Sequence, residues 1–287
     1  MKAIFLREVH SFATTMLGWA FSAFVLLFMG VYVMVYNLNY GYGNFEYALS
    51  GLTFVYLMAV PILTMRCFAE ERRSGTDLLL YSLPITSGKV VAGKYLAMLA
   101  LLAVPTLISC TYPIILSIFG EVYFPTAYAA IAAFFLLGAG LTAIGMFASS
   151  LCESQVTAAV VCFVILLADY FLPGIASFIP SGAAPAIVAI TALIALAAVA
   201  IALLTRNGVF ALGAAIVAEA ALVVTAVADA SALDGIVTDA LEGLSLFDRF
   251  SPFVNGIVDV SALVFFVAVG AAFFVLTVHS FERRRWA

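Results

Sequence analysis

Long apolar runs separated by short polar stretches make up most of the chain. Eight such runs stand out, at Thr14–Tyr36, Tyr47–Phe68, Tyr95–Phe119, Thr126–Ser150, Val156–Phe178, Pro185–Leu204, Gly208–Ala228 and Val260–Ser280. Each has the roughly 20 residues that a helix needs to cross a bilayer. They are apolar all round rather than striped at the helix period, which points to lipid and not to the surface of a soluble core. Backbone N–H and C=O groups in lipid must pair within the segment, so each run is predicted to be helical. Pro61, Pro105 and Pro113 fall inside spans and are predicted to kink them. The sixth and seventh runs are joined only by Thr205–Asn207, so a hairpin entering from one side is the alternative there.

Three stretches between the runs carry a pattern of their own. In residues 1–13, Ile4, Phe5, Val9 and Phe12 gather on one side, while Lys2, Arg7 and His10 lie elsewhere; this predicts a short helix in the membrane interface. In the loop 229–259, Leu233, Ile236, Val237, Ala240, Leu241 and Leu244 repeat at helix spacing and Asp234, Asp239 and Glu242 fill the opposite face. That predicts an amphipathic helix over Ser231–Phe247. Its polar face is acidic, so packing on protein holds it rather than anionic lipid. The third stretch, 69–94, is too polar to span and too short to be a domain. Within it Thr76 is a candidate helix cap before apolar Leu78, Leu79, Leu80 and Leu83, and Pro84 stops the helix.

Composition sharpens this picture. Of 287 residues, 66% are apolar and only 10% charged. A soluble protein of this size cannot hide so much apolar surface, which excludes a soluble enzyme. The fold class is all-α, a polytopic membrane protein of one embedded domain over 1–287. The net charge of −4 comes with no basic stripe, so no nucleic-acid partner is expected. Cys67, Cys110, Cys152 and Cys162 form no CxxC pair and read as free thiols. The first run is too long for a cleaved signal and no A-x-A site follows it, so it is expected to stay as a span.

The basic residues set the expected orientation. Of 12 lysines and arginines, all but Arg249 fall on one side of an eight-span arrangement. That side is then cytoplasmic, and both termini lie there.

The stretch 69–94 also carries a resemblance. An acidic pair, a Gly-Thr, a leucine run, a proline and a Gly-Lys stand in order as Glu70, Glu71, Gly75, Thr76, Leu78, Leu79, Leu83, Pro84, Gly93 and Lys94. This resembles the permeases of the ABC type 2 exporters. Gly256, Asp259, Glu282, Arg283, Arg284, Arg285 and Trp286 near the C-terminus resemble the gliding-motility-type subgroup. Asp77 departs from the pattern, where the family more often has Glu, and two spans are inserted before the last one.

The resemblance implies that Glu70, Glu71, Gly75, Thr76, Leu78, Leu79, Leu83 and Pro84 form a coupling helix seated in a groove of a separate ATP-hydrolysing subunit. It also implies that the N-terminal helix is the elbow helix. The implied partners are an ABC ATPase subunit dimer, a second permease copy or a related permease, and membrane lipid. The implied location is the bacterial cytoplasmic membrane. Residue pattern alone leaves a plain interfacial loop helix as the alternative for 69–94.

Rival chemistry has little to stand on. Gly88–Lys94 nearly fits the phosphate-loop pattern, but Tyr95 replaces the hydroxyl residue that would hold magnesium. Lys94 reads instead as a marker of the inner membrane edge, and no cofactor is expected on this chain, ATP being bound by the partner. Asp169 and Glu219 are intramembrane carboxyls. They read either as a proton relay of a secondary transporter or as protonated groups bonded to a neighbouring helix. His10 and His279 are far apart in the chain, with no acidic cluster or cysteine pair at ligand spacing, so no metal site is expected. Ser149, Ser150 and Ser154 lack a histidine base and read as a turn between the fourth and fifth spans. Gly138, Gly140 and Gly145 read as helix-packing positions. The sequence therefore describes a permease subunit of an ABC exporter, with a proton-coupled secondary transporter or a non-transporting membrane anchor subunit as alternatives.

Overall fold

A computed structural model describes residues 2–75, 86–178, 187, 191 and 236–285. The predicted spans at 185–204 (187 and 191 apart) and 208–228 lie outside the described residues, as do Thr76, Leu78, Leu79, Leu83, Pro84, Arg206, Glu219 and Trp286. Among the described residues every regular element is a helix, and six helical segments are long and apolar enough to cross a membrane.

The chain divides into two compact units, residues 1–168 with 249–287, and residues 169–248. The first unit begins with α1 (Lys2–Thr14) and α2 (Met16–Tyr32), which runs on as a wider π-helical stretch, Val33–Asn39. Next come α3 (Glu46–Thr64), the short α4 (Ala69–Arg73), α5 (Ser87–Ser109) and α6 (Tyr112–Leu116). The unit also holds α7 (Phe124–Leu151), most of α8 (Gln155–Phe178), α10 (Ser251–Val254) and α11 (Val260–Arg285). Between α8 and α10 lies α9 (Ile236–Leu244), in the second unit.

α7 is the centre of the first unit and packs along α3, α5 and α11. Its small residues make this possible. A side chain at Gly145 would collide with Thr64 of α3, and one at Gly138 would meet Leu102 at 2.9 Å and the Tyr56 ring at 3.0 Å. Without a side chain at these two positions the helix axes approach closely, as small-residue interfaces in membranes do. Tyr56 then stacks on Phe134 at 4.3 Å, and Phe250 meets the other edge of Phe134 at 6.0 Å.

Three boundaries differ from the sequence reading. The third span begins at Ser87, not at Tyr95, so the stretch 69–94 contains the first two turns of a long helix. Thr86 is extended and starts that helix, and the Gly-Lys residues simply continue it. The helix also passes through Pro105 and stops at Ser109; a turn at Cys110–Thr111 follows, and Pro113 opens α6 in its first turn, where a missing N–H costs nothing. Ser149 and Ser150 are the last turn of α7 rather than a connecting turn.

In the second unit, the amphipathic helix ends at Leu244 instead of reaching Phe247. Asp169 is the reason: both its carboxylate oxygens accept the Leu246 N–H (3.1 and 3.2 Å), and its carbonyl accepts the Ser245 hydroxyl at 3.1 Å. Tyr170 meets Phe247 edge-on at 5.3 Å.

Candidate functional site

The end of the first unit where α1, α4, the start of α5 and the ends of α7 and α11 meet gathers most of its basic residues, Arg249 excepted. α4 is the hub. A turn over Met65–Phe68 leaves the end of α3 and leads into Ala69–Arg73. A helix start has N–H groups without intrahelical acceptors. Ser149 Oγ of α7 supplies one, accepting from Phe68 N at 3.1 Å and Ala69 N at 3.3 Å. The far end closes at Gly75, whose φ of +68° is the left-handed conformation that glycine adopts without strain.

Glu70 and Glu71 are adjacent, and a helix turns about 100° between neighbours, so they face different ways. Glu70 points outward, half exposed, with Arg66 Nε 3.6 Å away. Glu71 turns inward. Its Oε1 accepts from Arg7 at 2.8 Å and from Lys94 at 3.0 Å. Glu8 of α1 accepts from the same two groups, at 2.7 Å from Arg7 and 3.2 Å from Lys94. The four charges form a closed ring of alternating sign.

Lys94 is the buried corner of that ring, 2% exposed. An ammonium has three N–H donors. Here they face Glu8, Glu71 and the Cys67 carbonyl at 2.8 Å. The Phe68 ring lies 5.2 Å from the nitrogen, near enough for a cation–π contact. Lys94 lies two turns inside α5, and its charge is tolerated there because every donor has an acceptor. The same placement removes a phosphate-binding loop at Gly88–Lys94: the backbone is helical and the lysine is committed.

Burial works to raise the Glu8 carboxyl, but Lys94 and Arg7 outweigh it and hold the group below its usual range. Burial likewise opposes the Arg7 guanidinium, and the two carboxylates more than offset it, so its pKa rises.

On the other side of α4, Arg72 donates to the Ser150 carbonyl and, at 2.8 Å, to that of Cys152. Arg284 of α11 donates to the Leu151 carbonyl at 3.0 Å, and Ser150 Oγ bonds Ser280 Oγ at 3.2 Å. The last carbonyls of α7, which have no intrahelical donors, are thus closed by two arginines.

Of the residues singled out by motif, the structure brings Glu71 and Lys94 together and leaves Glu70 outside. Glu8, Arg72 and Ser149 were not read as parts of this site. A lysine two turns inside an apolar helix was the available signal, since such a charge needs a partner. Asp169 is accounted for as the acceptor that fixes the turn at Ser245–Phe247.

The family model described as ABC-2 family transporter protein matches residues 3–286. No curated protein and no solved structure matches the chain.

Proposed function

The chain belongs to the ABC-2 transporter family and is a multi-pass, ABC-type permease; on that premise we propose that it is the membrane subunit of an exporter driven by a separate ATPase. The observation that carries the proposal is the position of α4. It leads from the second span into the 76–86 segment, and it is bonded to α1 and α5 through Glu71 and to α7 through Arg72. A force applied to that segment from outside the membrane reaches three helices through short, polar, directional contacts. Rigid-body transmission of this kind is how interface events become movements of spans.

The segment Glu70–Pro84 is the proposed coupling segment. Glu70 offers its carboxylate outward, and Leu78, Leu79 and Leu83 supply an apolar face for a groove on the ATPase. Glu71 acts on the permease side of the contact. The basic end of the bundle is cytoplasmic by its lysines and arginines. α8 starts at this end and α11 finishes there, and on this reading both termini are cytoplasmic. An ATPase dimer and a second permease, either a copy or a relative, complete the transporter in the bacterial cytoplasmic membrane. The C-terminal residues Gly256, Asp259, Glu282, Arg283, Arg284, Arg285 and Trp286 favour the gliding-motility-type subgroup.

Purification from native membranes tests the proposal. An ATP-hydrolysing chain should co-elute with the permease and be stimulated by it. Consistent purification without any nucleotide-binding partner would sink the proposal in favour of an autonomous carrier.

A further inference from the structure

On the coupling reading given above, we propose that Lys94 is a positioning residue that makes α1 and α4 move as one piece with the third span. Its ammonium joins four stretches of chain at one point: Glu8 of α1, Glu71 of α4, the Cys67 carbonyl after α3, and α5, on which it sits. The partners are 23 to 86 residues away in sequence.

A buried ion pair is weak evidence for stability, because apolar residues of similar size often pack as well or better. Direction is what the charge adds. If α4 shifts without α5, Glu71 leaves the ammonium and keeps only the exposed Arg7, while buried Lys94 keeps only Glu8. If α1 stays behind, the same happens to Glu8. The displacement of lowest cost is the one in which α1, α4 and α5 travel together. Arg7 closes the ring from outside and bridges the same two carboxylates, but its side chain is 54% exposed. Such pairs hold loosely, so Arg7 cannot replace Lys94 as the fixed point. The Arg72 and Ser149 contacts tie α4 to α7 and are independent of Lys94. The coupling segment thus has two separable outputs, one to the N-terminal helix and third span, the other to the fourth span.

The test is hydrogen–deuterium exchange on the full-length permease in lipid nanodiscs. Lys94→Met should raise exchange by about tenfold in both Lys2–Thr14 and Ala69–Arg73, since both lose their shared anchor. Glu8→Gln should raise it in Lys2–Thr14 alone, because Glu71 still holds Lys94. Unchanged exchange in either segment of Lys94→Met would overturn the proposal. Should Lys94→Met fail to accumulate, the pair Glu8→Gln with Glu71→Gln keeps size and hydrogen bonding and must loosen both segments; if it does not, the proposal is wrong. A second readout separates positioning from mere structure. With the ATPase bound, ATP and vanadate should alter exchange in Lys2–Thr14 of the wild type, and Lys94→Met should lose that response while still binding the ATPase. A response that persists in the variant would refute the shared anchor. If no ATPase binds the wild type, the coupling reading falls instead, and the exchange pattern of the permease alone still decides the role of Lys94.

Discussion

Lys94 donates to Glu71 across 3.0 Å, and this contact turns one member of an adjacent acid pair into the bundle while Glu70 stays half exposed outside. Two residues that a motif presents as equivalent therefore act on opposite sides of one short helix. Glu71 is held between Arg7 and Lys94, while Glu70 stands beside Arg66 on the outer side.

Removing one charge from the ring should cost more than removing several. Lys94→Met leaves Glu8 and Glu71 facing each other with only Arg7 between them, a loss of about 3 kcal/mol, the lower end for breaking a buried pair. The triple change Lys94→Met, Glu8→Gln, Glu71→Gln should recover most of that. Thermal unfolding in a fixed detergent reads both; a triple variant less stable than the single one contradicts the ring.

Acid should release α1. The Glu8 carboxyl is held below the ordinary glutamate value of 4.5 in the folded chain. A depressed carboxyl stabilises the fold above the unfolded value, and that contribution disappears as pH falls through the folded value. Exchange in Lys2–Thr14 should therefore rise below about pH 4.5. Glu8→Gln should show raised exchange at neutral pH and a flatter acid response. An identical acid profile in the variant would assign the effect to other groups.

Gly145 sets the distance between α3 and α7. Gly145→Val should push against Thr64 and destabilise by about 1–3 kcal/mol, the usual effect of overpacking. Adding Thr64→Ala should restore part of it. Melting temperatures of the two variants and the double check the pair; no recovery in the double would mean that the axes had already moved apart.

Asp169 should behave as an anchor and not as a proton carrier. Asp169→Asn keeps an acceptor for the Leu246 N–H and should leave transport largely intact. Asp169→Ala orphans that N–H, costing about 1–3 kcal/mol. Transport abolished by Asp169→Asn in a normally folded chain would favour the relay reading.

The spans were legible because bilayer burial writes itself as length and composition. Five run starts, Thr14, Tyr47, Thr126, Val156 and Val260, fall within two residues of the starts of α2, α3, α7, α8 and α11. Tyr95 did not, because Ser87–Lys94 looks polar: Ser87, Gly88, Lys89 and Lys94 interrupt the run. From the sequence Lys94 marks the inner membrane edge; its burial between Glu8 and Glu71 shows only in three-dimensional contacts. The inward turn of Glu71 was not legible, since adjacent acids give no hint of which one faces a partner. Arg72 and Ser149 escaped for the same reason: backbone carbonyls and N–H groups carry no sequence signal, so a side chain that serves them looks like any surface residue.

The most direct measurement joins the permease to its energy source. The wild-type chain and the double variant Leu79→Asp, Leu83→Asp are expressed with the co-purifying ATPase, and complex formation and ATP hydrolysis are measured at matched amounts of inserted permease. The account predicts that the wild type binds and stimulates the ATPase. The variant should insert normally and bind at least about 100-fold more weakly, because two carboxylates would enter an apolar groove. A double variant with undiminished binding and stimulated hydrolysis would show that the segment after Gly75 is an interfacial loop and that energy enters the membrane elsewhere.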